Sequence, residues 1–124
     1  MATVREIMSS NLITVDPDST VAQAATVMAE RRVGSALVME GGSLAGIFTE
    51  RDIVRALSQD FDAPGHPIGH WMTRNPTTIG PDDGTDRALD LMLKGGFRHL
   101  PVLEDGSVVG VVSIRDLSRA SAES

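Results

Sequence analysis

The stretch Gly46-Ile47-Phe48-Thr49-Glu50-Arg51-Asp52 decides the fold of this chain. It ends an apolar run that begins at Leu44, and apolar residues then follow at helical spacing. This change of period predicts a strand that passes into a helix at Thr49. The same order of residue types returns in Gly110-Val111-Val112-Ser113-Ile114-Arg115-Asp116, so the junction occurs twice.

Both junctions belong to a tandem repeat. Residues 8–56 align with residues 72–120 at an offset of 64 without a gap, and 16 of these 49 positions are identical. Self-similarity at a fixed period indicates one supersecondary unit that occurs twice. We assign residues 1–60 to the first repeat and residues 61–124 to the second. They are expected to form one compact domain together, because a unit of about 60 residues buries too little surface alone.

Each repeat is predicted to run strand, helix, strand, strand, helix. In the first repeat the strands lie at 12–15, 36–39 and 44–48, and the helices contain 21–28 and 50–57. In the second repeat the strands lie at 77–79, 100–103 and 108–112, and the helices lie at about 85–94 and 114–120. Gly41-Gly42 and Asp105-Gly106 suit tight hairpin turns. The predicted fold class is α+β, with the two copies packed in pseudo-twofold symmetry and residues 58–67 as the linker.

Composition limits the partners and the compartment. The 124 residues carry 11 basic and 17 acidic side chains, and the net charge of −6 repels a nucleic-acid backbone. No apolar run approaches the roughly 18–20 residues needed to cross a bilayer. The chain has no cysteine, and its amino-terminal residues are charged where a signal peptide would be apolar. We therefore expect a cytoplasmic protein without nucleic-acid or membrane partners.

Each junction places a hydroxyl and a carboxylate one helical turn apart. Thr49 with Asp52, and Ser113 with Asp116, stand where a strand ends and the first N–H groups of a helix lack partners. Such a terminus attracts phosphate, and a carboxylate can accept hydrogen bonds from two vicinal ribose hydroxyls. The same pattern is also that of a helix capping box, which needs no ligand. Both interpretations stay open, and both can be true at once.

The pattern Gly, apolar, any, Ser/Thr, any, any, Asp between a strand and a helix resembles the nucleotide motif of the cystathionine-β-synthase (CBS) domain family. A methionine followed by Asn and Thr, the two Pro-Asp helix entries and the segment Phe97-Arg98-His99-Leu100-Pro101-Val102 also resemble the family's pattern. The resemblance covers nearly the whole chain. It implies a tandem CBS pair that binds an adenine nucleotide in the cleft between its repeats.

The resemblance also implies which residues contact the ligand. The adenine is expected against the segments Asn11 to Thr14 and Pro76 to Thr78. Arg98 can clamp a phosphate where the first repeat has Gly34, so the second site is expected to bind more strongly. The candidate ligand-binding residues are Thr49, Asp52, Ser113, Asp116, Arg98, Thr14, Thr78, Asn11, Pro76, His99 and Pro101.

Other features of the sequence predict no chemistry of their own. No Ser-His-Asp, Cys-His, paired-carboxylate or Walker-type constellation is present, so we expect no catalytic activity. His66 and His70 are four residues apart, but the Pro67 and Gly69 between them argue against a shared helical face, so no metal is expected. Trp71 is interpreted as a packing anchor, with an interface role as the alternative.

These observations predict a regulatory module with no resident cofactor. Nucleotide occupancy would change the arrangement of the repeats, and an effector protein would read that change. The resemblance also implies a homodimer. The alternative is a protein-interaction or oligomerisation module whose motifs survive only as helix caps. The sequence does not distinguish AMP, ADP, ATP and S-adenosylmethionine as ligands.

Overall fold

The structure is a computed structural model that describes residues 2–123. Its helices are α1 (Val4–Ile7), α2 (Val21–Arg31), α3 (Glu50–Gln59), α4 (Thr85–Gly95) and α5 (Ile114–Glu123). Its strands are β1 (Thr14–Val15), β2 (Ser35–Glu40), β3 (Ser43–Thr49), β4 (Thr73–Arg74), β5 (His99–Glu104) and β6 (Ser107–Ser113). The chain divides into two compact units, which we call the central unit (residues 13–76) and the terminal unit (residues 2–12 and 77–123).

The central unit contains a four-stranded sheet in the order β1-β2-β3-β4. β1 is parallel to β2, while β2 with β3 and β3 with β4 are antiparallel pairs. Gly41 and Gly42 make the turn between β2 and β3 at φ angles of 60° and 81°, which glycine adopts without strain. The face of α2 that the periodicity predicts is the one that is buried, through Val21, Ala24 and Met28.

The terminal unit is built on the antiparallel hairpin of β5 and β6. Ser9 pairs with Val111 on one side of this hairpin, and Ile79 pairs in parallel with Val102 on the other. The predicted strand at 77–79 is therefore wrong in extent, because Ile79 makes only an isolated bridge. The ladder stops there because the N–H of Gly80 donates to Asp83 Oδ2 at 2.9 Å and the next residue is a proline without an N–H.

The strand pairings repeat at the 64-residue offset. The bridge between Ser9 and Val111 corresponds to the pairing of Thr73 with Ile47. The register shift within each hairpin also falls at an equivalent position. The segment before residue 13 therefore completes the sheet of the second repeat, and β4 completes the sheet of the first. The two compact units therefore do not coincide with the two sequence repeats, because each sheet takes its edge segment from the other end of the repeat order. The boundary between the repeats at residue 60 stays a sequence prediction.

Each unit has its own apolar core. In the central unit Phe48 is fully buried and packs in a cluster that includes Ile68 and Trp71. In the terminal unit Leu100 is fully buried in a cluster that includes Val4 of α1. Across residues 2–123, no helix is both long enough and apolar enough to cross a membrane.

Arg5 attaches α1 to the rest of the terminal unit. Its guanidinium forms ion pairs with Glu104 of β5 and with Asp82. The hydrogen bond to Glu104, followed by the charge of that carboxylate, raises the pKa of Arg5 above its ordinary value. The Arg5 guanidinium therefore stays charged at every physiological pH.

Candidate functional site

The first copy of the motif lies in the central unit, where β3 passes into α3. The N–H of Thr49 donates to Asp52 Oδ2 at 2.9 Å, and the N–H of Asp52 donates to Thr49 Oγ1 at 3.3 Å. The Thr49 hydroxyl also donates to Asp52 Oδ2 at 3.2 Å. The N–H of Glu50 donates to the carbonyl of Gly34 at 3.1 Å. This is a complete capping box, a type of cap that contributes about 0.5–2 kcal/mol to stability.

Asp52 is also paired with a cation. Nη2 of Arg55 lies 3.3 Å from Asp52 Oδ1, and only 8% of the Asp52 side chain is exposed. The same guanidinium donates to the carbonyl oxygen of Trp71 at 2.6 Å and stands over the Trp71 ring, 5.5 Å from its centroid. Trp71 itself is 7% exposed and belongs to the central core, which confirms its interpretation as a packing anchor.

The second copy of the motif lies in the terminal unit, where β6 passes into α5. The N–H of Ser113 donates to Asp116 Oδ2 at 2.8 Å, and the N–H of Asp116 donates to Ser113 Oγ at 3.1 Å. The N–H of Ile114 donates to the carbonyl of Arg98 at 2.9 Å. The expectation that the first N–H groups of the two helices lack partners is therefore wrong for the first and third residues of each. The carbonyl of Gly34 or Arg98 accepts from the first N–H, and the capping hydroxyl accepts from the third.

Four more candidates lie on or beside the hairpin of the terminal unit. His99 pairs with Ser113 across the hairpin, and Arg98 precedes β5 with an exposed side chain. Thr78 lies next to Pro101, because the N–H of the following Ile79 donates to the Pro101 carbonyl at 3.1 Å. The Pro101 side chain is buried, so it contributes to the floor of this region rather than to its exposed surface.

The remaining three candidates lie at the edges of the two sheets. Thr14 is exposed on β1 and pairs with Leu37 of β2, the strand that also pairs with Thr49. Pro76 follows β4 on the opposite edge, where the N–H of the preceding residue reaches the carbonyl of Ala45 at 3.4 Å. Asn11 follows the bridge of Ser9 to β6, and its N–H donates to Ser9 Oγ at 3.3 Å. Neither Pro76 nor Asn11 is brought to the motif of its own unit.

The two histidines of the 66–70 segment lie in an aromatic cluster. The His66 ring stacks on Trp71 at a centroid distance of 6.2 Å, and His70 meets both rings edge-on at 5.9 Å. In the part of the chain that the structure describes, no group of three or more His, Cys, Asp or Glu side chains could hold a metal ion.

The contacts of Arg55 were not predicted from the sequence. One signal was available, because Arg55 follows Asp52 by three residues and that spacing places two side chains on one helix face. No local signal exists for Trp71, which lies 16 residues beyond Arg55. Only the folded chain brings these two residues together.

Comparison with protein families gives two matches along the chain. The model described as CBS domain matches residues 4–59 and 68–123. An uncharacterized 17.7 kDa protein of Acidianus ambivalens is 43% identical over 124 residues, which cover 97% of this chain and 74% of that protein. The CBS domain-containing protein YhcV of Bacillus subtilis is 32% identical over 95% of this chain and 84% of its own. The plant protein CBSCBSPB1 of Arabidopsis thaliana is 36% identical, but this chain spans only 21% of it.

Solved structures share the fold. A CBS-domain containing protein from Agrobacterium tumefaciens is 30% identical and superposes with a TM-score of 0.92, covering 97% of this chain and 99% of its own. The CBS domain pair of protein MJ0100, solved with 5′-methylthioadenosine and S-adenosyl-L-methionine, is 30% identical with a TM-score of 0.90, covering 98% and 97%. CBSX2, solved with AMP, is 25% identical with a TM-score of 0.83, covering 99% and 98%. These matches confirm the predicted α+β fold.

Proposed function

Because this chain belongs to the CBS domain family, we propose that it is a regulatory module that binds an adenine nucleotide and has no catalytic activity of its own. Two solved relatives support this proposal, since the MJ0100 pair holds 5′-methylthioadenosine with S-adenosyl-L-methionine, and CBSX2 holds AMP. Adenosine is common to these ligands. AMP, ADP, ATP and S-adenosylmethionine are therefore the compounds to test.

The arrangement around Ser113 is the observation that supports the proposal most directly. Asp116 is less buried than Asp52, and its Oδ1 lies outside the cap that its Oδ2 makes with Ser113. A carboxylate oxygen in this position can accept hydrogen bonds from ribose hydroxyls. Ser113 Oγ accepts one hydrogen bond and can donate its proton to a phosphate oxygen. The exposed guanidinium of Arg98 can bind the same phosphate in a bidentate manner.

Calorimetric titration tests this proposal. One of AMP, ADP, ATP or S-adenosylmethionine is expected to bind saturably, and Asp116→Ala is expected to weaken it by roughly 10- to 150-fold, because ribose hydroxyls lose a charged acceptor. Asp86→Ala, which removes an exposed carboxylate from the first turn of α4, serves as the matched control and should leave affinity unchanged. Failure of all four compounds at millimolar concentration would refute nucleotide binding.

The alternative function is a protein-interaction module in which both motifs serve only as helix caps. The complete capping hydrogen bonds at Thr49 and at Ser113 favour this second candidate. It requires Asp116→Ala to lower the melting temperature without changing the affinity for any adenine compound. The regulatory proposal instead includes an effector protein that reads nucleotide occupancy, with the cytoplasm as the proposed compartment.

We also propose a homodimer that forms through α4 and α5 of the terminal unit. Leu93 and Leu89 on α4 are 71% and 39% exposed. An open groove of about 440 Å³ lies beside Leu89 and is lined by Leu117 and Ser118 of α5. A second copy of this surface would bury these apolar side chains in an isologous contact.

Light scattering is expected to give about twice the 13.2 kDa mass of the chain. The Leu93→Glu variant should shift the protein towards the monomer, because it would place a charge in the buried contact. A monomeric mass for the unmodified chain at all concentrations would contradict the dimer. Such a result would not contradict nucleotide binding, which the calorimetric titration tests independently.

A further inference from the structure

We infer that each chain takes one nucleotide, at Asp116, because the first motif copy is closed by its own side chains. Thr49, Asp52, Arg55 and Trp71 form a continuous polar network in the central unit, which we call the Arg55 latch. This inference rests on the proposed function and specifies which of its two motif copies receives the ligand.

The hydroxyl of the first motif copy is already used. Thr49 Oγ1 accepts from the N–H of Asp52 and donates its only proton to Asp52 Oδ2. Among residues 2–123, no equivalent bond runs from the Ser113 hydroxyl to Asp116, which it meets only as the acceptor of an N–H. A phosphate oxygen would therefore find a donor at Ser113, whereas at Thr49 it would have to displace Asp52.

The carboxylate of the first copy is used as well. Asp52 Oδ2 accepts from Thr49, and Asp52 Oδ1 faces the guanidinium of Arg55. With 8% of the side chain exposed, ribose hydroxyls could reach Oδ1 only after Arg55 has moved. Displacing the arginine would leave a buried carboxylate without its cation, which is unfavourable. Asp52 therefore acts as a structural residue rather than as a ligand-binding residue.

Trp71 holds Arg55 in the closed position. The Trp71 carbonyl accepts a hydrogen bond of 2.6 Å from Arg55, and the indole ring lies beneath the guanidinium. At the 64-residue offset Arg119 corresponds to Arg55, and Ile7 corresponds to Trp71. An aliphatic side chain offers no π face to a cation. Within the described part of the chain, no ion pair joins Arg119 to Asp116, so the second motif copy has no latch.

The two motif copies also differ in a residue that could bind phosphate. Gly34 and Arg98 occupy equivalent positions, and the carbonyl of each accepts from the first N–H of the following helix. Only Arg98 adds a guanidinium at that point, and its side chain is exposed. The copy that is closed is thus also the copy without an equivalent of Arg98.

The first arm of the test counts ligands, with AMP and S-adenosylmethionine as separate probes. Calorimetry is expected to give one nucleotide per chain. Asp52→Asn, which keeps an oxygen for the cap but loses the charge, should leave affinity within about threefold, whereas Asp116→Ala should weaken binding by roughly 10- to 150-fold. Two bound nucleotides per chain, or the loss of one bound nucleotide in Asp52→Asn, would overturn the inference. Neither result would contradict the proposed function.

The second arm needs no nucleotide, because Trp71 is the only tryptophan of the chain. Arg55→Gln is expected to shift Trp71 emission and lower the melting temperature, since it removes the cation over the ring. The equivalent Arg119→Gln should change neither value. Unchanged emission in Arg55→Gln would overturn the latch. If neither of these probes nor ADP or ATP binds, the proposed function and the single-nucleotide count fail together, and this arm alone then decides whether the latch exists.

Discussion

The Phe48→Ala variant is expected to lose about 3–5 kcal/mol of its free energy of unfolding. Phe48 is fully buried in the core of the central unit. It lies on β3, which is hydrogen-bonded to a strand on each side, so the backbone cannot collapse freely into the space left by the ring. A loss of this size is a large fraction of the roughly 5–15 kcal/mol by which small proteins are stable.

Denaturant titration measures this loss. Trp71 lies in the same core as Phe48, so its fluorescence reports unfolding of the central unit, while circular dichroism reports the helices of both units. The matched control is Phe61→Ala, which removes the same ring from a position that is 95% exposed and should stay within about 0.5 kcal/mol of the unmodified protein. Equal unfolding midpoints for the two variants would contradict the assignment of Phe48 to the core.

The Gly46→Ala variant is expected to lose about 1–3 kcal/mol of stability or more, because β4 crosses Gly46 too closely for any side chain. A Cβ at Gly46 would lie 2.6 Å from the carbonyl oxygen of Thr73 and 2.9 Å from Sδ of Met72. The first of these atoms belongs to the backbone, so the strand pairing of Gly46 with Arg74 would have to give way. The glycine that opens the motif is thus required by the packing of a neighbouring segment.

Alanine variants of two other glycines serve as comparisons for Gly46→Ala. At Gly110, the equivalent position, a Cβ would meet Sδ of Met8 at 2.6 Å and the carbonyl of Ser9 at 3.0 Å. Because a methionine side chain can move more easily than a backbone carbonyl, Gly110→Ala should cost less than Gly46→Ala. Gly65→Ala, whose Cβ would meet nothing within 4 Å, should be nearly neutral in thermal unfolding. Equal melting temperatures for all three would contradict the close approach of β4.

Much of the secondary structure could be predicted because it depends on local features of the chain. Helical spacing found α2 and its buried face, and paired turn residues found both hairpins. The segment at 77–79 was one exception, since its three β-branched residues suit a strand but Pro81 and the hydrogen bond from Gly80 to Asp83 end the ladder after one bridge. The short strand β4 was not predicted, because two exposed residues carry no periodic signal.

The candidate site could also be predicted only in part. The repeated Ser/Thr and Asp spacing located both helix caps, and the caps are present in the structure. Whether an aspartate is then available to a ligand depends on what else contacts it. Asp52 is contacted by Arg55, and Arg55 is itself bound by Trp71, which lies 19 positions beyond Asp52 in the chain.

The sequence by itself determined the repeat, the order of its elements and the chemistry at each strand-to-helix junction, because neighbouring residues specify periodicity, turns and caps. The tertiary structure alone decided which segment completes each sheet, with residues before 13 joining the second repeat and residues 73–74 joining the first. It also decided that Arg55 contacts both Asp52 and Trp71, whereas no ion pair joins Arg119 to Asp116 among the described residues. Contacts between distant segments depend on the packing of the whole unit, so two copies of one motif acquire different neighbours.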